Sequence, residues 1–228
     1  MEAAAAQSFA FSVDAEHTVS ALLNVPPKAR AGCVLAHGAG AGMAHPFMAA
    51  VAAGLAERGV ATLRYQFPYM ERGSKRPDGP ALALATVRAA VAEASQRLPQ
   101  LALFAGGKSF GGRMSSQAQA ASPLPGVRGI VFLGFPLHPA KQPSSARAQH
   151  LSDVHLPMLF LQGTRDELAD DALVRTLVGE LGARATLESI SQADHSFHVP
   201  ARSGRKDADV LSDMLDATVR WIDRVVGT

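Results

Sequence analysis

The stretch at residues 101–112, LALFAGGKSFGG, constrains this chain more than any other. An apolar run at 101–105 enters Gly106-Gly107-Lys108-Ser109-Phe110-Gly111-Gly112, and residues 113–121 continue with helix-compatible side chains. Gly107-x-Ser109-x-Gly111 is the G-x-S-x-G pattern of a nucleophile elbow, in which a strand ends, the chain turns sharply and a helix begins at once. The serine then sits at the tip of a strained turn with its hydroxyl presented to solvent. Bulky side chains two residues to either side would collide with the turn, which is why both positions are glycine. The first N–H groups of the following helix have no intrahelical partner and suit a developing anion.

The remainder of the chain alternates in the way such a turn requires. Residues 8–13 and 18–25 read as two strands joined by a turn at Asp14-Ala15-Glu16. Further strands are expected at 32–36, 60–65, 127–135, 157–163 and 185–190, with helices at 46–58, 81–98, 167–181 and 206–226. Residues 66–80 and 139–151 read as loops, the second with room for one helix. Strands alternating with helices imply an α/β fold, a mostly parallel central sheet of about seven to eight strands with helices on both faces. No internal repeat or linker divides the chain, so a single domain over residues 1–228 is expected.

A serine nucleophile needs a base, and the base needs an acid that orients it. Asp166 follows the strand at 157–163, and His195 follows the strand at 185–190. Functional groups of open α/β sheets gather at the carboxyl ends of strands. Ser109, Asp166 and His195 all meet that rule, in the order Ser…Asp…His. Asp170 and Asp171 are expected to lie already on the helix beginning at Glu167. His198 sits further from its strand end than His195, and Asp194 is too close in sequence to reach the far imidazole nitrogen. The expected oxyanion donors are the N–H groups of Phe110 and Ala39, with Gly40 as the alternative to Ala39. Phe67, Tyr69 and Phe135 are the expected apolar substrate walls, beside Phe110. Lys108, Arg64, Tyr65 and Arg113 stand near the same rim and read either as a structural polar network or as positive charge for an anionic substrate.

Several phrases resemble known sequences. LAHGAGAGMAHPFM, LRYQFPYME, GGKSFGGRMSS, LQGTRDEL and ADHSFHVP are similar to the α/β-hydrolase superfamily, and within it to the small capless members near dienelactone hydrolase. They also resemble a group described only as α/β-hydrolase-like, which includes a testis-expressed vertebrate protein and a domain of a chromatin-associated complex subunit. The resemblance spans nearly the whole chain and implies a capless α/β-hydrolase fold with Ser109, Asp166 and His195 as its triad. It departs from dienelactone hydrolase at the nucleophile, a cysteine there and Ser109 here. An aspartate, as haloalkane dehalogenases need, is also absent from that position.

Charge and composition exclude other classes. A net charge of +2 with no long basic block argues against nucleic-acid binding. The single cysteine, Cys33, lies in an apolar run and reads as a core residue. No apolar run is long enough to span a membrane. Glu2 stands where a signal peptide would carry positive charge, so a cytoplasmic protein is expected. Neither cofactor nor metal is expected, since no HExxH or paired-cysteine motif occurs. The expected partner is a small-molecule ester or thioester, with the protein a monomer or homodimer.

Overall fold

A strand buried at every position has no face to give to water, so it must lie inside a sheet covered on both sides. Strands β3 (Ala31–Ala36), β4 (Val60–Tyr65) and β7 (Met158–Gly163) are of this kind. In the computed structural model, which describes residues 6–227, they belong to one eight-stranded sheet. The others are β1 (Gln7–Ser12), β2 (Thr18–Asn24), β5 (Ala102–Lys108), β6 (Val127–Leu133) and β8 (Ala185–Ile190). The order across the sheet is β1-β2-β4-β3-β5-β6-β7-β8. The β1–β2 and β2–β4 pairs are antiparallel and every pair from β4 through β8 is parallel. The reading of the first five residues lies outside the described part.

Successive side chains of a strand point to opposite faces, and here each face meets its own helices. Val34, Ala105, Ile130 and Phe160 join one core with α3 (Pro80–Arg97), α4 (Phe110–Ala121) and α5 (Asp171–Leu181). Cys33, Leu35, Phe104, Leu159 and Leu161 join the other with α1 (Pro46–Glu57) and α6 (Asp207–Val226). Cys33 is buried and unpaired, and burial pushes its thiol up to about 12. Trp221 of α6 packs edge-on against Phe104, and a Cβ on Gly129 would sit 2.5 Å from its ring. Because the central strands run parallel, their carboxyl ends all open on one edge, and the loops after β3 through β8 gather there.

The structure corrects several boundaries. Strand β5 continues through Gly106 and Gly107 to Lys108, and α4 begins at Phe110, so a single residue, Ser109, makes the turn. The helix expected from Glu167 begins at Asp171, because Asp170 caps it by accepting from the Leu173 N–H at 3.1 Å. The loop at 66–80 contains a one-turn helix, α2 (Pro68–Glu71), started by the proline. The connection from β6 to β7 holds a 3-10 stretch, Ala146–Asp153, and no lid domain. No helix among the described residues is long and apolar enough to cross a membrane.

Candidate active site

The elbow is fixed by backbone packing. A Cβ on Gly107 would lie 2.1 Å from the Ala36 carbonyl oxygen, and one on Gly111 2.5 Å from that same atom. Without side chains there, β5 and α4 close against β3. Ser109 takes φ 50° and ψ −113°, a conformation few non-glycine residues adopt, and its N–H donates to the Leu133 carbonyl at 3.2 Å. Its hydroxyl then faces the loop after β8.

From that loop His195 places Nε2 2.9 Å from the Ser109 Oγ, and its Nδ1 lies 2.6 Å from Asp166 Oδ2. The Asp166 side chain is fully buried. Its carboxylate also accepts from Gln162 Nε2 at 2.6 Å and from the Leu168 N–H at 2.7 Å. All three contacts use the carboxylate as acceptor. The imidazole therefore carries its proton on Nδ1 and leaves Nε2 to accept from the serine hydroxyl. The expected trio is thus brought together. Its rivals are engaged elsewhere. His198 is exposed and pairs with Asp207 at 2.8 Å, which raises its pKa. Asp171 pairs with Arg175, and Asp194 accepts the N–H groups of Ser196 and His198.

Phe110 is the first residue of α4, so its N–H is one of the unpaired donors of that helix start. Ala39 is exposed on the loop after β3, while the neighbouring Gly40 N–H already donates to the Tyr69 hydroxyl at 3.1 Å. That loop is pinned by a group that sequence reasoning missed. His37 is fully buried, its Nε2 accepts from the Phe67 N–H at 3.1 Å, and its Nδ1 therefore donates to the Gly38 carbonyl at 2.8 Å. Burial lowers its pKa and keeps it neutral. Gln66 adds a second tie by accepting from the Met43 N–H at 2.8 Å.

The expected substrate walls are corrected. Phe67, Tyr69 and Phe135 are 0%, 1% and 2% exposed and belong to the core beneath the site. Phe67 turns inward because its N–H is held by His37. Phe135 turns inward onto Phe132 and Phe160 because its N–H is held by Gln162 Oε1 at 2.8 Å. Phe110, stacked edge-on against Phe67, remains the partly open aromatic. A groove of about 460 Å³ is bordered by Arg165, Glu167, Leu168, Asp194, His195 and Pro200.

Of the two readings given to the rim cations, Lys108 and Arg64 both fit the structural one. Arg64 is buried and structural, donating to the Met43 carbonyl and to Asn24. Lys108 sends its ammonium under the loop after β8, where it donates to the His195 carbonyl and lies 5.0 Å from the centre of the Phe197 ring. Burial pushes its pKa down to about 8, against the opposing pull of Asp166 and Asp194. Gln162 was the second residue missed. Its signal was a lone polar side chain near the end of the apolar run MLFLQG. Among the described residues no group of three His, Cys, Asp or Glu side chains is arranged to hold a metal ion.

Solved structures share this architecture across nearly their whole length. A serine hydrolase without a lid from Xanthomonas campestris matches with a TM-score of 0.74 at 21% identity, over 96% of this chain and 95% of that one. Dienelactone hydrolase from Anabaena variabilis matches with a TM-score of 0.73 at 21% identity, over 96% and 98%. A cold-adapted esterase from an Arctic intertidal metagenomic library matches with a TM-score of 0.68 at 19% identity, over 96% and 93%. At these identities the likeness is one of fold. The family itself is shown by the sequence, whose residues 29–223 match the model of the alpha/beta hydrolase domain, and the chain belongs to that family.

Proposed function

We propose that this chain is a single-domain serine hydrolase of short carboxylic esters or thioesters. The observation that carries the reading is the unbroken contact from the Ser109 hydroxyl through His195 to a buried Asp166, at 2.9 and 2.6 Å. His195 takes the serine proton as Oγ attacks the acyl carbon, and Asp166 steadies the imidazolium that forms. The Phe110 and Ala39 N–H groups receive the oxyanion, with Gly40 as the alternative donor. His195 then protonates the leaving group, and water releases the acyl chain by the same steps in reverse. Among the described residues no lid stands over Ser109. Each further methylene is worth roughly 0.8 kcal/mol only where an apolar wall takes it, so acyl groups of about two to six carbons should be preferred, without interfacial activation.

The test is labelling by a fluorophosphonate probe, followed by turnover of p-nitrophenyl esters. Ser109→Ala should abolish both while keeping the thermal transition of the parent, with a loss on the order of a millionfold in kcat. Folded wild-type protein that neither labels nor turns over any ester of the series would overturn the reading in favour of a non-catalytic binding domain.

A further inference from the structure

The mechanism leaves two cations unused, Arg113 and its neighbour in charge Arg147. Arg113 stands one helical turn behind Ser109, its N–H donating to the Ser109 carbonyl at 3.1 Å. Residues four apart share a helix face, and their side chains lean toward the helix start. By that rule the Arg113 side chain leans from its turn toward the end of α4 that carries the serine. That end is the positive pole of the helix, and no acidic residue occupies its first turn. A cation there works against the helix dipole. A second cation, Arg147, is brought against it by the 3-10 stretch Ala146–Asp153, and it acts on Arg113 as a like charge.

Neither guanidinium has a hydrogen bond or an ion pair among the described residues, and Arg113 Nε is buried with no partner at all. Polar atoms so buried are almost always satisfied. The other side chains of the cluster do not supply the missing anion. His150 bonds Ser116 at 2.7 Å and is held neutral, its pKa pushed down to about 4 by burial and by Arg113. Asp153, the nearest acid of that stretch, makes no ion pair with either arginine. Two half-buried arginines and an orphaned N–H ask for negative charge on the helix that Ser109 begins, one turn along it.

We infer that Arg113 and Arg147 form an anion subsite next to Ser109 that takes a carboxylate at the far end of the substrate's acyl group. The inference rests on the hydrolase reading and narrows it to half-esters or half-thioesters of short dicarboxylic acids. The forked guanidinium matches a carboxylate in shape as well as charge. With Cβ atoms about 5–6 Å apart across one turn, an acyl chain of about six carbons brings its terminal carboxylate to the arginines while its carbonyl sits at Ser109.

Two measurements test this. The first compares kcat/KM for mono-p-nitrophenyl adipate, p-nitrophenyl hexanoate and 3-carboxy-4-nitrophenyl hexanoate, which carries its charge on the leaving group. Wild type should favour the adipate over the hexanoate by about tenfold or more, and Arg147→Ala and Arg113→Met should each bring that ratio near unity. A ratio near unity in wild type, or a larger gain from charge on the leaving group, overturns the proposal. The second measurement does not depend on turnover. Monomethyl adipate and methyl hexanoate are titrated into Ser109→Ala by calorimetry. The anion should bind and the neutral ester should not, and adding Arg147→Ala should remove the binding. Equal behaviour of the two esters overturns the subsite even if the enzyme is active. Selective anion binding in a protein that hydrolyses nothing would support the subsite and sink the hydrolase reading alone. Arg147 is partly exposed, so its variant keeps the test valid if Arg113→Met fails to fold.

Discussion

The elbow and the loops around it hold their shape by different means. At the elbow, backbone rests on backbone. The carbonyl of Ala36 occupies the space where side chains at positions 107 and 111 would go. The loop after β3 is also glycine-rich, yet a Cβ on Gly40 would meet nothing nearer than the Lys75 carbonyl oxygen at 3.9 Å. Gly40 is there for its φ of 71° and not for lack of room. This loop is held by side chains instead: the Tyr69 hydroxyl on Gly40, Gln66 on Met43, and His37 on Phe67. The loop after β8 is held in the same manner, by Lys108 on the His195 carbonyl. Ser109 is thus placed by the core of the sheet, whereas His195 and the loop carrying Ala39 are placed by polar contacts that one substitution can remove.

The largest expected effect comes from setting the two glycine types against each other. Gly111→Ala drives a methyl group into the Ala36 backbone on a central strand. It should cost about 3 kcal/mol or more in urea unfolding, as overpacking against an unyielding neighbour does. Gly40→Ala meets open space and carries only the strain of a left-handed residue, about 1–2 kcal/mol. Equal losses at the two sites would break the distinction between them.

That distinction also explains what the sequence made legible. Gly107, Ser109 and Gly111 are close in sequence and their constraint is local, so the motif could be read directly. Asp166 and His195 could be read because each follows a strand whose neighbours already fix where it ends. The contacts of Tyr69, His37 and Gln162 join residues 25 or more apart or turn on side-chain direction, and no periodicity reveals them. The single turn of α2 is too short to show a helical repeat, so Tyr69 looked like a rim residue when it is packed beneath the loop. The start of α5 was misplaced because Asp166 and Asp170 are both capping residue types, and only the structure shows that Asp166 spends its carboxylate on His195 and Gln162.

Lys108 offers the next test, through pH. Its folded-state pKa of about 8 lies below its ordinary 10.5. Below pH 8 the amine is charged in both folded and unfolded chains, and the cost of burying that charge is fully present. Between the two values the unfolded chain holds the proton and the folded chain does not, so stability rises with pH. Lys108→Met removes the titration while keeping the stem. From about pH 7.5 to 9.5, wild type should therefore gain about 2 kcal/mol relative to the methionine variant in urea unfolding. A difference that stays constant across that range would mean that the ammonium is solvated, and that something other than Lys108 holds the loop after β8.

The smallest effect, and the one that separates the two candidate oxyanion donors, belongs to Tyr69→Phe. The change removes one hydroxyl from a residue that is 1% exposed, and with it the acceptor of the Gly40 N–H. The ring keeps its contacts with Phe67 and Phe110, so the fold loses only a single neutral hydrogen bond, about 1 kcal/mol. The catalytic consequence depends on which N–H meets the oxyanion. If Ala39 donates, the Tyr69 hydroxyl serves to hold the loop in place. Its loss lets the Ala39 N–H drift from the position the oxyanion takes, and kcat should fall by up to about tenfold while KM stays within about twofold, since the lost interaction is made in the transition state. That is the expected result, because the Gly40 N–H is already committed. If Gly40 donates instead, the hydroxyl competes with the oxyanion for the same hydrogen, and removing it should raise kcat. Steady-state kinetics on a short p-nitrophenyl ester read the sign directly, and a rise would move the donor from Ala39 to Gly40.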